Sequence, residues 1–213
     1  MNLFKRILLT TLSVILIAFG ASLSIKAAVG LGAWDALSKS LSTLINIKVG
    51  TFAMILNGSC VVSQMILMGK KFNLSRVLQF GIAILIGLFV NFFYYDLFGS
   101  LVFTSYWVRL IVFILATAII SFGVSIVMVI DVVTLPLEAL CMVINDKTGW
   151  KFTKIRQAFD IISIGLSLAI SFIFAQAFDV REGTILGMLI FSPLLGVFMP
   201  RVQPTLKRLN LTK

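Results

Sequence analysis

An all-α fold, a polytopic membrane bundle of about six spanning helices plus two shorter interfacial or re-entrant ones, follows from three observations. Of 213 residues, 60% are hydrophobic and only 12% charged, where soluble domains carry roughly 25% charged residues. The apolar residues form long uncharged blocks. The 18 Lys and Arg, set against 8 Asp and Glu for a net charge of +10, collect between those blocks, as the loop cations of membrane proteins do. A water-soluble globular domain is excluded, and the basic excess reads as membrane orientation with no nucleic-acid partner.

The uncharged runs cover residues 7–25, 49–69, 77–95, 110–130, 161–178 and 183–200. At 1.5 Å per residue each is long enough for about 30 Å of hydrocarbon. The first run has signal-peptide features, Lys5 and Arg6 ahead of it and Ala27 and Ala28 behind. Its length, Lys26 beside the would-be cut and a similar segment in mid-chain make it an uncleaved first span. Residues 33–47 divide into a face of Trp34, Leu37, Leu41, Leu44 and Ile45 and a face of Asp35, Ser38, Lys39, Ser42, Thr43 and Asn46. Such a helix is expected to lie in the membrane interface. Residues 135–145 form a second, more apolar short helix.

If neither short helix crosses and the N-terminus is cytoplasmic, 13 cations fall inside and 5 outside. Those inside are Lys5, Arg6, Lys70, Lys71, Arg76, Lys147, Lys151, Lys154, Arg156, Arg201, Lys207, Arg208 and Lys213. Eight crossings would place Lys70, Lys71 and Arg76 outside, against the positive-inside rule. Six spans with both termini cytoplasmic are expected, with Trp34, Tyr94, Tyr95, Tyr106 and Trp107 in an outer aromatic belt and Trp150 in an inner one.

An offset of 103 residues aligns Phe19, Gly20 and Ser22 with Phe122, Gly123 and Ser125. It also aligns Asp35, Ala36 and Leu37 with Glu138, Ala139 and Leu140, Lys48 with Lys151, and Asn57 with Asp160. Identities are few, so the repeated order of elements carries the signal: long span, short helix, long span, charged break, long span. The whole chain, residues 1–213, reads as one membrane domain containing repeats at about 4–100 and 107–205. Three spans per half force the second half to enter from the opposite side, the inverted-repeat design in which secondary transporters hold solute near the midplane. Duplication kept for packing alone is the other reading.

Asp160 lies about eight positions into its helix, where an ionised carboxylate costs several kcal/mol unless paired or facing water. Either it pairs with Arg156, four residues earlier on the same face, or it forms a solute or proton site opposite Asn57. Asp35 and Glu138 sit in the first turns of the two short helices, the latter after Pro136. They either offset a helix dipole or bind a cation or protonated amine, one near each mouth of a path. Gly20, Ser22 and Ser24, and Ser121, Gly123 and Ser125, give the first span of each half a small-residue face for close contact. Gln64, Gln79, Asn91 and Thr184 are buried polar candidates. There is no His, and Cys60 and Cys141 lack any partner spacing. The sequence also lacks a phosphate loop, a C-x-x-C and an acid cluster with metal spacing. No enzyme activity, cofactor or metal is expected.

The segment Gly30, Leu31, Gly32, Ala33, Trp34, Asp35, Ala36, Leu37, the run Gly50, Thr51, Phe52, and Gly183, Thr184, Ile185, Leu186 leading to Ser192 and Pro193 resemble the YczE/YyaS/YitT group of bacterial integral membrane proteins. The resemblance implies a multi-pass protein of the bacterial cell membrane and carries no settled activity or site residues. The functional expectation is a small-solute transporter or permease subunit, with membrane lipid and a small molecule or ion as partners. The alternative is a non-transporting scaffold or sensor that contacts a protein partner, for instance through residues 147–156. Nothing in the sequence fixes an oligomeric state.

The topology is tested with single cysteines in a background lacking Cys60 and Cys141. A cysteine at position 103 is expected to react with an impermeant reagent in intact cells and one at position 73 to be protected; the reverse pattern defeats the six-span orientation.

Overall fold

The computed structural model describes residues 2–211, all of whose regular structure is helical. The helices are α1 (Asn2–Ala27), α2 (Ala33–Leu44), α3 (Val49–Met68), α4 (Leu78–Asn91), α5 (Tyr106–Ile130), α6 (Pro136–Thr148), α7 (Phe152–Ile173) and α8 (Glu182–Arg208). α4 continues into a π-helical segment, Phe92–Leu97. All but α2 and α6 are long and apolar enough to cross a membrane. Lys213, counted above among the cytoplasmic cations, lies outside the described residues. In α7 the helix starts nine residues before the uncharged run at 161–178 does. Arg156 and Asp160 interrupt the hydropathy but not the backbone, because they satisfy each other inside the bundle.

The 103-residue offset reappears in the backbone. The chain turns through positive φ at Ala28 and Asp131, ending α1 and α5, and again at Asn46 and Gly149, following α2 and α6. It reappears in the packing too. α1 crosses α5, and a Cβ added at Gly20 would stand 2.8 Å from Ile120 Cγ1 and 3.0 Å from the Ala116 carbonyl. A Cβ added at Gly123 would stand 2.8 Å from Ile17 Cγ1 and 3.1 Å from the Ser13 carbonyl. Ile17 and Ile120, and Ser13 and Ala116, are themselves offset mates, so the two contacts are one contact seen from both sides. Ser22, Ser24, Ser121 and Ser125 are buried beside it. α1 also packs on α4, and α5 on α8.

The short helices are exchanged between halves: α2 packs on α7 and α6 on α3. α2 does not float in the interface. Its Ser38, Ser40 and Ser42, read from sequence pattern as polar or left unassigned, are buried, while Ile45 of the apolar face is 52% exposed. Small hydroxyls admit a neighbouring helix more closely than leucines do, and Ser40 finds its hydrogen bonds there.

The glycine contact is the packing to test. Gly123→Val is expected to lower stability by about 1–3 kcal/mol through overpacking, and Ile17→Ala in the same chain to recover part of the loss. Gly165→Ala, whose added Cβ meets nothing within 4 Å, is the control and should not destabilise. Thermal unfolding of the purified variants reads all three.

Candidate functional site

A cavity of about 450 Å³ lies between the halves. Much of its wall consists of offset mates facing one another: Ile17 and Ile120, Ala21 and Val124, Ile25 and Met128, Val49 and Phe152, Ala53 and Arg156, Asn57 and Asp160. The first turns of the short helices supply four more pairs, residues 32–35 and 135–138.

Those turns reach the centre because each short helix runs alongside its neighbouring span in the same direction. Trp34 packs edge-on against Phe159 at 6.5 Å between ring centroids, and Ser40 Oγ lies 2.7 Å from Ser167 Oγ. Farther along, Gln176 reaches the Ser40 carbonyl and the Leu44 amide. The C-terminus of α2 is thus level with the end of α7, and its N-terminus with the middle. On the other side Leu137, Leu140 and Cys141 of α6 cluster with Cys60 of α3, and Trp34 packs against that cluster. Trp34 therefore belongs to the cavity wall and not to the outer aromatic belt.

All five site residues expected from the sequence line this one cavity: Asp35, Asn57, Glu138, Arg156 and Asp160. Arg156 holds both neighbouring acids, hydrogen-bonding Asp160 through Nη1 and approaching Glu138 Oε1 with Nε at 3.8 Å. The helical pair anticipated for Asp160 is therefore present, but as part of a larger group. Asp35 makes no hydrogen bond or ion pair among the described residues and feels the charges of Arg156 and Asp160 through space. Asn57 turns its amide to the Ala53 carbonyl at 2.9 Å within its own helix. Two expectations change. Asp35 and Glu138 do not guard opposite mouths, because both short helices point their N-termini inward. Arg156, counted with the cytoplasmic loop cations, is a cavity residue.

The glycine motifs bring backbones together around the site. The Gly183 amide donates to the Val29 carbonyl at 2.8 Å and the Leu31 amide to Thr184 Oγ1 at 3.2 Å. A Cβ at Gly30, where φ is +131°, would fall 2.6 Å from the Thr184 nitrogen. Gly50 meets Gly87 so closely that a Cβ would lie 2.1 Å from the Gly87 carbonyl, and the Gly50 amide donates to Asn91 Oδ1 at 2.9 Å.

Two polar clusters flank the cavity at offset-equivalent places. Toward the termini, Gln64 Nε2 donates to Gln79 Oε1 at 2.9 Å and to the Pro136 carbonyl at 3.2 Å, and Arg76 donates to Gln64 Oε1 at 2.9 Å. At the opposite end Ser40 donates to Asp179 Oδ2 at 3.1 Å while touching Ser167. Gln64 and Ser167 are mates, as are Arg76 and Asp179. Burial raises the Asp179 carboxyl above its ordinary range, with the Ser40 hydrogen bond and the Lys39 charge opposing that shift. Sequence reasoning missed Ser40, Ser167 and Asp179; carrying Gln64 and Arg76 through the offset finds the last two.

The family of unknown function DUF6198 matches residues 4–200. The Uncharacterized membrane protein YczE of Bacillus subtilis (strain 168) is 29% identical over 190 residues, 88% of this chain and 82% of YczE. The Uncharacterized protein YyaS of the same organism is 26% identical over 192 residues, 90% of this chain and 91% of YyaS. No solved structure matches. With the six long apolar helices, these relatives identify a multi-pass membrane protein.

The shared role of Arg156 sets a stability test. Arg156→Gln leaves Glu138 and Asp160 on one cavity without their cation and is expected to cost on the order of 3 kcal/mol. Asp160→Asn is expected to cost less, since Arg156 keeps Glu138. Combining the two should not restore wild-type stability, because Glu138 still lacks its partner. Full recovery in the double variant would show an isolated Arg156–Asp160 pair.

Proposed function

The chain belongs to the DUF6198 family of unknown function, and from its membrane bundle and central cavity we propose that it is a small-solute transporter or permease with a midplane site between two inverted halves. One observation carries this reading: the cavity is walled by equivalent residues of both halves and by the first turns of two short helices that stop at its edge. Interrupted helices ending on a site at the repeat interface are the recurrent solution in secondary transporters. The volume falls within the range of small-molecule sites.

The wall chemistry favours transport over scaffolding. Ionisable side chains within a membrane bundle are costly and mark solute, ion or proton paths. A scaffold gains nothing from four of them around an interior space, since its contacts lie on its surface. In this reading the protein resides in the cell membrane with both termini cytoplasmic, as the charge distribution favours, and its partners are lipid and the transported molecule.

Filling the cavity tests the path. Ala53, opposite Arg156, faces open space, so Ala53→Phe is expected to reach the membrane at wild-type abundance and block passage. Metabolite contents of cells and medium are compared among a deletion strain and strains overexpressing either protein. At least one solute is expected to redistribute several-fold with the wild-type chain and not with Ala53→Phe. Indistinguishable profiles at equal membrane abundance would reject transport.

A further inference from the structure

We propose that the cavity takes an organic monocation, a protonated amine carried on an apolar body, with Asp35 as its counter-ion. This deepens the transporter reading and rests on it for the passage of the solute, while the binding step stands on the wall itself.

The charge on the wall is unbalanced. It carries the carboxylates of Asp35, Glu138 and Asp160 against the single guanidinium of Arg156, and no lysine. Arg156 is committed to Glu138 and Asp160. Asp35 stands without a hydrogen bond or ion pair among the described residues. The N-termini of α2 and α6 each contribute about half a positive charge. Three negative charges, one positive charge and two half-charges leave roughly −1, the complement of one monovalent cation. A second guanidinium at position 53, the mate of Arg156, would have closed the balance; alanine stands there.

The remaining wall says what kind of cation. Trp34, Phe113, Phe152 and Phe191 face the same space, and aromatic faces attract ammonium groups while accommodating an apolar body. A bare metal ion does not suit it. Among the described residues no three His, Cys, Asp or Glu side chains converge closely enough to hold one, and most of the wall has no ligand atoms. An anion would have to approach an uncompensated carboxylate.

The test uses the full chain in lipid nanodiscs and three probes of one shape: phenethylammonium, neutral 2-phenylethanol and anionic phenylacetate. Phenethylammonium alone is expected to raise the unfolding temperature and to bind saturably. Asp35→Asn is expected to weaken that binding at least about tenfold, Asp35→Glu to retain most of it, and Asp96→Asn, away from the cavity, to leave it unchanged. The proposal is overturned if the neutral or anionic probe stabilises the protein as well as the cation does, if no probe binds, or if Asp35→Asn binds the cation like wild type. Should Asp35→Asn fail to fold, the comparison of the three probes on the wild-type chain still decides. Proteoliposome flux separates the two readings. Cation binding without flux keeps this assignment and removes the transporter, whereas flux of phenylacetate or 2-phenylethanol without cation binding does the opposite.

Discussion

The close crossing of α1 and α5 governs the rest of the bundle. Lipid tails are as apolar as leucine, so helices in a membrane associate through van der Waals contact and polar bonds and not through exclusion of water. Gly20 and Gly123, themselves offset mates, let the two backbones approach until Gly20 meets Ile120 and Gly123 meets Ile17, the isoleucines being mates as well. Ser22 secures the region by bonding the Ala18 carbonyl at 2.8 Å and reaching the Val90 carbonyl of α4 at 3.3 Å. With α4 and α8 on the flanks of this pair, α3 packs on α4 and on both short helices, and α7 packs chiefly on α2. The space left between crossing and short helices is the cavity, so a packing requirement at two glycines also determines where the cavity lies.

Symmetry builds the cavity, and its charges break that symmetry. Asp35 and Glu138 are mates with the same charge, and each offsets the dipole of its own helix, as an acid in a first turn does. That structural role and a role toward solute do not compete, because the inward direction of both helices places the same carboxylates on the cavity. Arg156, whose mate is Ala53, and Asp160, whose mate is Asn57, are the asymmetric elements. Buried ion groups of this kind are poor stabilisers compared with an apolar replacement, so stability alone gives no reason for four charged side chains to occupy the centre of a membrane bundle.

Much of this was legible in the sequence. Uncharged runs mark the six spans, the small-residue faces of α1 and α5 mark surfaces for close contact, and the offset picks out Asn57 and Asp160, which both line the cavity. What escaped notice has physical reasons. Hydropathy starts the fifth span only after Asp160, since it cannot know that Arg156 lies one turn away with its charge already shared. The amphipathic reading of α2 assumes a helix facing water on one side, whereas its serines are buried, Ser40 bonding Ser167 of α7 and Ser38 the Val49 carbonyl of α3. Trp34 was assigned to a boundary because tryptophan favours interfaces, and its place depended on the direction in which α2 runs, which is a tertiary fact. Convergence of Asp35 and Glu138 was hidden for the same reason: spacing places each acid in a first turn, and only packing shows that the two first turns meet.

In the inverted arrangement proposed above, low identity between the halves is expected on physical grounds. Equivalent positions in inverted repeats lie on opposite membrane faces, and those faces do not select the same charges. Residues 69–77 carry Lys70, Lys71 and Arg76, while the equivalent stretch 172–180 carries no cation and one acid, Asp179. Arg76 and Asp179 nonetheless occupy matched places, each joined to a partner beside a short helix, Gln64 in one case and Ser40 in the other. The sign of the charge is reversed between these mates, and the partner changes from Gln64 of α3 to Ser40 of α2. The charges of the two breaks thus differ, whereas Gly20 and Gly123, at the crossing of α1 and α5, are the same residue in both halves.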